Sequence, residues 1–454
     1  MIQEQLLQLL KNCPADYADI RFEDSDRTAF AFRGKEQEFA VTAKEGHGVA
    51  RACWKGGWGT VTFDNLSEAA ERLAQACHLA KLVGKETTVL ADAPVVTGEF
   101  PAKMKRDFRQ VPLPEKIRQF EEYNSILSTS DPSVQSTITR YRESFRKVYF
   151  ASTRGACFME ERPHIGILLA AIARKDDQVQ QAFKSIGSLD DYGAADNLQE
   201  ECKAVGLRAR NLTQAPKAPG GKTTVVLDPE FAGLFTHEAF GHLSEADFLY
   251  ENPQMKELMC IGKEMGPKFL NIVDDGTLPG GIGTHATDDE GTPTRCTYLI
   301  KDGLLAGHLH SLETAGKMGE TPTGNCRAIS GTFAPIVRMT NTFILPGTTP
   351  KEEIFRDIDD GIYACGGFAG QTQMEMFTFT ATHGFRIRNG KICEMLRDVM
   401  VTGNVFETLR NIDAISGDLE ISKNGGGCGK GGQSPLPVSD GSPHIRVRNA
   451  IVAG

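Results

Sequence analysis

The stretch HEAFGHLSEAD, from His237 to Asp247, sets two histidines five residues apart with a glutamate directly after the first. In the zinc-binding pattern H-E-x-x-H the histidines are four apart, so both lie on one side of a helix. At about 100° per residue, four steps leave two side chains about 40° apart and five steps leave them about 140° apart. A regular α-helix would therefore point His237 and His242 in different directions. A wide π-type turn makes i and i+5 neighbours, and such turns concentrate at functional sites. The flanks FAGLF and SEADF are compatible with a helix, and Gly241, just before the second histidine, is a place where the backbone deviates at little cost. The spacing thus predicts a locally widened helix that turns both imidazoles toward one metal ion.

Two histidines do not complete a catalytic site, because zinc in such sites takes three protein ligands and one water. Cys428, in NGGGCGKGGQSP, is the best third candidate. Its glycine neighbours let the backbone come close to an ion and leave no apolar packing around the sulfur, and Lys430 favours the thiolate. His308 and His310 in GHLH alternate as strand residues do and share one face, a lesser candidate pair. His285, His383 and His444 are isolated and read as structural or solvent-facing. Asp274-Asp275 and Asp288-Asp289-Glu290 offer oxygen ligands for a hard cation, although acidic loops are ordinarily just solvated. Two glycine-rich stretches imitate phosphate loops and fail. GGKTT has Pro216 where the first glycine belongs and precedes a strand, and GGGCGKGG has Asn424 at the first position and Gly431 in place of the magnesium-binding Ser or Thr.

A chain of 454 residues suggests two or three domains. With 40% hydrophobic and 24% charged residues it has the composition of a globular protein with a real core. The net charge of −9, without a compensating Lys/Arg cluster, argues against nucleic acid as a partner. The start MIQEQLLQLLKNC lacks the basic and apolar segments of a signal peptide, and the longest apolar run, IGILLAAIA, is far short of a membrane span. Eleven cysteines, scattered and odd in number, read as reduced thiols, and the expected location is the cytoplasm with no membrane partner. Helix, antiparallel strands and helix follow one another over residues 1–84, with a turn at Lys55-Gly56-Gly57 and Ser67 as the helix cap. A proline-bearing connector over 85–112 leads to a second α+β region over 113–212. The linker TQAPKAPGGK then opens a glycine-rich, β-prone region over 223–454, with helices around the opening motif and over Pro350–Gly361. The expected class is α+β, ending in a mostly antiparallel sandwich or barrel that carries the HExxxH helix.

The stretches HEAFGHLSEADF, DDGTLPG, DDEGTPTRCTYLIKDGLLAGHL, PTGNCR, MTNTFILPG and GGCGKGGQSPLPVSDGSPHIRV together resemble the TldD/PmbA peptidase family, more closely its TldD branch. The resemblance runs along the whole chain. It implies a zinc ion held by His237, His242 and Cys428, with Glu238 as the catalytic carboxylate. It also implies cleavage of small or unfolded peptides, leader peptides among them, inside a dimeric chamber built from like chains or with a PmbA/TldE-type chain. HLSEAD departs from the family pattern, which has a glycine-leucine-type pair after the second histidine and glycine in place of Ala246. The alternative function is a non-catalytic peptide-binding or regulatory scaffold; Glu238 beside both histidines argues against it, since a binding module needs no general base.

Overall fold

The computed structural model describes residues 1–453. A long antiparallel hairpin dominates the first part: β1 (Tyr17–Arg33) pairs with β2 (Glu36–Trp54), which turns into β3 (Gly57–Phe63). The turn is the pair Lys55-Gly56, with φ of 45° and 74°, the left-handed combination that matches the twist of the flanking strands. Beyond β4 (Thr97–Phe100), two strands of nineteen residues, β5 (Val134–Ser152) and β6 (Cys157–Lys175), run antiparallel, and β7 (Gln178–Ser188) covers the far part of β6. β1 also pairs with β5, from Asp19 opposite Ser152 to Arg33 opposite Ile138. One sheet of order β3-β2-β1-β5-β6-β4 therefore spans both of the first two regions.

Period-2 alternation assigns the faces of this sheet. In β1, Ile20 and Phe22 pack with α1 (Ile2–Leu10) and α2 (Ala69–Val83) through Leu6, Leu10, Leu73 and Ala76. Phe30, on the same face, packs with α3 (Leu113–Thr129) and α4 (Gln199–Leu212) through Phe120, Tyr123 and Val205. The intervening Asp19, Arg21 and Glu23 are buried on the opposite face, against the last part of the chain. Asn65, rather than Ser67, caps the turn leading into α2, its side chain accepting from the Ser67 N–H. An asparagine one residue before the helical turn reaches that donor directly.

The last part is a closed five-stranded barrel, as one of the two expected β architectures. β8 (Gly221–Leu227) lies between Asp360–Gln373 and Ile445–Ala453; Met400–Asn404 and Met376–Arg388 follow, and Met376–Arg388 pairs back with Asp360–Gln373 to close the ring. The β8 pairing with Asp360–Gln373 is parallel, which the mostly antiparallel expectation did not single out. The helix expected over Pro350–Gly361 stops at Arg356, and a barrel strand begins at Asp360. After β8, Asp228 caps α5 (Pro229–Phe235) by accepting from the Phe231 N–H, and accepts again from Gly366 N–H in the facing strand. Phe231 and Phe235 of α5 join Val225, Phe377, Phe379 and Val401 in one core. That double anchoring fixes the direction of the segment that follows. A second sheet, of order Leu304–Leu305, Cys296–Lys301, Ile272–Asp275, Asn341–Ile344, Ser439–Ser442, Glu420–Ile421, packs beside the barrel. Among the described residues no helix is long and apolar enough to cross a membrane.

Candidate metal centre

α5 runs without a break into Thr236–Gly241, a turn of π-helix, where the His242 N–H donates to the His237 carbonyl five residues back. That wider turn cancels the angular offset of the five-residue spacing, and the two imidazole rings stand 5.3 Å apart. Gly241 does not achieve this through unusual backbone: its φ of −58° and ψ of −49° are open to any residue. What requires glycine is packing. A Cβ there would stand 2.1 Å from the sulfur of buried Met339.

Cys428 begins a short strand, Cys428–Lys430, paired with Gln433–Leu436. Buried Arg338 donates to the Cys428 carbonyl at 2.8 Å and ties this glycine loop to the body. The Cys428 sulfur lies 3.3 Å from His242 Nε2, and the ligand atoms of His237, His242 and Cys428 all lie within 4.8 Å of one another. The sulfur is less isolated than its glycine neighbours suggest, since Cys428 is buried and belongs to the edge of the main apolar core. Burial alone would push the thiol up, but His237 and His242 outweigh it and hold it down at about 4. Burial likewise disfavours charge on His237, yet the Cys428 sulfur raises it to about 9. Burial opposes the shift of His242 as well, and Glu245 with Cys428 drives that ring well above its ordinary value. The cluster therefore pairs a buried sulfur, whose thiolate form the imidazoles favour, with two imidazoles whose proton affinity that sulfur raises.

Lys430 takes a different part from the one expected. Its ammonium pairs with Glu245 at 2.9 Å and Asp247 at 2.7 Å and donates to the Val337 carbonyl at 2.8 Å, while the imidazoles polarise the thiol. Glu245 is the residue that motif reading missed. Fully buried, it accepts from His242 Nδ1 at 2.9 Å and so turns Nε2 toward Cys428. A carboxylate three residues after a histidine in a widened turn is a usable signal, but only once the turn is known.

Glu238 keeps its carboxylate partly exposed, with Oε2 3.7 Å from His242 Nε2, and its backbone carbonyl accepts from the Thr372 hydroxyl at 3.0 Å. It opens on a cavity of about 620 Å³ bounded also by His242, Phe248, Met255, Met374 and Lys430. A carboxylate thus meets a largely apolar wall, the usual make-up of a ligand pocket.

The remaining candidates lie elsewhere. His308 and His310 gather with Glu320 in a separate cluster. His285 accepts from Arg327, His383 neighbours the Thr382 hydroxyl, and His444 lies between Asp418 and the Tyr363 hydroxyl. The acidic runs are not solvated loops. Asp274 is buried and accepts from Asn325, from Thr340 backbone and side chain, and from the Thr342 hydroxyl. Asp289 pairs with Arg21 at 2.9 Å and Arg162 at 2.7 Å, and Glu290 pairs with Arg51 at 3.2 Å. Those arginines lie on β1, β6 and β2, so these carboxylates fasten the large sheet to the rest of the molecule instead of waiting for a cation.

Comparison with known proteins agrees along the length of the chain. The family model described as the PmbA/TldA metallopeptidase C-terminal domain matches residues 220–454, and that of the central domain matches residues 106–215. A metalloprotease of Synechocystis is 41% identical over 97% of this chain and 95% of its own. A zinc metalloprotease TldD homolog of Saccharolobus solfataricus is 30% identical over 97% of each. In fold, the chain resembles TldE from Thermococcus kodakarensis (TM-score 0.79, 18% identity, all of both chains). It also resembles a protein described as a modulator of DNA gyrase from Thermotoga maritima (TM-score 0.78, 20% identity, 99% of both). With a family model over more than half its length and a relative this similar from end to end, the chain belongs to the PmbA/TldD family and is a metallopeptidase.

Proposed function

We propose that this chain is a zinc peptidase in which His237, His242 and Cys428 hold the ion and Glu238 moves the proton. The observation that carries the reading is the convergence of three donors of that chemistry within 4.8 Å of one another, beside the Glu238 cavity. The donor set fits the ion: two imidazoles and a thiol already drawn to thiolate suit zinc among the common divalent ions. The buried Nδ1 of His237 has no hydrogen-bond partner. When bound, zinc supplies Lewis-acid polarisation of the scissile carbonyl and lowers the pKa of water at its open position. Glu245 holds His242 in the tautomer whose Nε2 faces the cluster. The Glu238 carboxylate, next to the first ligand and free to face the cavity, takes a proton from the attacking water and returns it to the leaving amine.

Substrates in this proposal are small or unfolded peptides, leader peptides included, as the family resemblance implies. The working division is 1–84, 113–212 and 223–454, with the first two sharing a sheet. Two such chains, or this chain and a PmbA/TldE-type chain, would close a chamber in the cytoplasm. The test is hydrolysis of an unstructured peptide by the purified chain, alone and mixed with a PmbA/TldE-type chain. Chelation should abolish cleavage and zinc should restore it, while Glu238→Gln should keep the zinc and lose activity by roughly 10²–10⁴. Full activity after complete removal of metal would contradict the proposal.

A further inference from the structure

His308 and His310 lie almost completely buried, side by side with the half-buried carboxylate of Glu320. His308 Nδ1 is 3.0 Å from Glu320 Oε1 and 3.1 Å from Oε2, and His310 Nε2 is 3.1 Å from Oε2. The other nitrogen of each ring has its own partner, the Met259 carbonyl for His308 Nε2 at 2.9 Å and the Thr314 hydroxyl for His310 Nδ1 at 3.1 Å. A carbonyl only accepts, so Nε2 of His308 carries the hydrogen. In neutral His308 that leaves the Nδ1 lone pair aimed at both carboxylate oxygens, acceptor against acceptor. Something positive belongs between them.

Three features favour a metal ion over a second proton on His308. First, the arrangement contains two imidazoles and one carboxylate, the ligand set of an open divalent transition-metal site. Ligands at about 2.0–2.2 Å from a common ion stand roughly 3–3.5 Å from one another; both histidine–Glu320 contacts have that spacing, and all three donors lie within 4.8 Å of one another. Second, both rings are held from behind by the partners just named, and for His308 the Met259 carbonyl fixes the tautomer that leaves Nδ1 free for a metal. Third, the cluster is reached from a cavity of about 660 Å³ bounded by His308, His310, Glu320, Thr323 and Tyr298, which gives an ion an entry path and a place for water.

We propose that His308, His310 and Glu320 form a second site for a divalent transition-metal ion of the zinc class, sharing no residue with the Cys428 cluster. Its place in the fold gives it a fastening role. Leu309, between the two histidines, donates to the Ser244 carbonyl at 2.8 Å and accepts from the Ala246 N–H at 3.0 Å. Those bonds bracket Glu245, the carboxylate that orients His242. Glu320 arrives from the other side, just after the helix Leu312–Met318 ends at left-handed Gly319. An ion here ties that helix end to the segment beside the first cluster.

Cobalt(II) and zinc(II) titrations of the full chain test this, because only a thiolate ligand gives cobalt a sulfur-to-metal charge-transfer absorption. The double variant His242→Ala/Cys428→Ser should still take up one equivalent per chain, without that absorption, and its thermal midpoint should rise with the metal. Glu320→Gln, at the solvent-facing corner of the second cluster, should lose one equivalent and keep the absorption. Circular dichroism of each variant checks the fold, and Glu320→Gln serves alone if the double variant does not fold. A folded first-cluster variant that takes up no metal, or a Glu320→Gln protein that still takes up two equivalents, overturns the second site. A wild type that takes up a single ion without the sulfur absorption, lost in Glu320→Gln, upholds the second site and defeats the zinc-peptidase reading instead.

Discussion

His242 owes its orientation to Glu245, which Lys430 in turn neutralises; neither belongs to the set of three candidate ligands. Glu245 receives the His242 Nδ1 hydrogen and is itself neutralised by the Lys430 ammonium, so a fully buried carboxylate is held ionised, below its usual range despite burial. Substituting Glu245→Gln should weaken zinc binding roughly 10- to 100-fold, the usual effect of losing the group behind a ligating histidine. Competition against a chromophoric chelator reads this directly, and an unchanged affinity would remove Glu245 from the orienting role. The three candidate ligands were legible in the sequence because their chemistry is rare and local: two histidines around a glutamate, and a cysteine in a glycine loop. Glu245 was not, because charged residues on a helix flank are usually solvated, and the role of Lys430 was misread because only the folded chain brings the loop at 430 onto the segment at 245.

The π turn shows the same division one level up. Five-residue spacing of His237 and His242 predicts a widened helix, and the His242 to His237 hydrogen bond is that widening. The reason for Gly241 was misread, because backbone freedom is visible in a sequence and the neighbour across the core is not. Gly241→Ala should destabilise the protein by about 1–3 kcal/mol as the new methyl meets Met339, and should lower metal affinity because His242 follows directly. Combining it with Met339→Ala should recover part of the affinity, since residues in contact couple. Denaturant unfolding and the metal titration together check both, and additive losses in the double variant would contradict the steric origin. Long strands, the Lys55-Gly56 turn and the helices beside them were likewise readable from periodicity and turn residues. The joining of β1 to β5 was not, because register between segments over a hundred residues apart is decided by which apolar faces meet.

Across the whole molecule, the acidic run Asp288-Asp289-Glu290 acts as a joint rather than a cation site. Asp289 would be raised by burial, but Arg21 and Arg162 outweigh it and hold the carboxyl far below the usual range. A depressed pKa contributes stability that is complete above the unfolded value of about 3.9 and is lost as pH falls below it. The joint should therefore fail on acidification, and Asp289→Asn, which leaves two buried guanidinium groups short of a partner, should cost about 3–5 kcal/mol at neutral pH. Thermal unfolding at neutral and acidic pH checks both statements; a variant as stable as wild type would show that the arginines find other partners. This joined molecule brings the π-turn histidines and a cysteine from the far end of the chain together, and one zinc ion should bind where they meet. Zinc-edge X-ray absorption of the Glu320→Gln protein, in which only the first cluster can load, tests it most directly. The expected spectrum shows one sulfur at about 2.3 Å with nitrogens at about 2.0–2.1 Å, the sulfur vanishing in Cys428→Ser; a folded, zinc-loaded protein whose metal has no sulfur neighbour would contradict it.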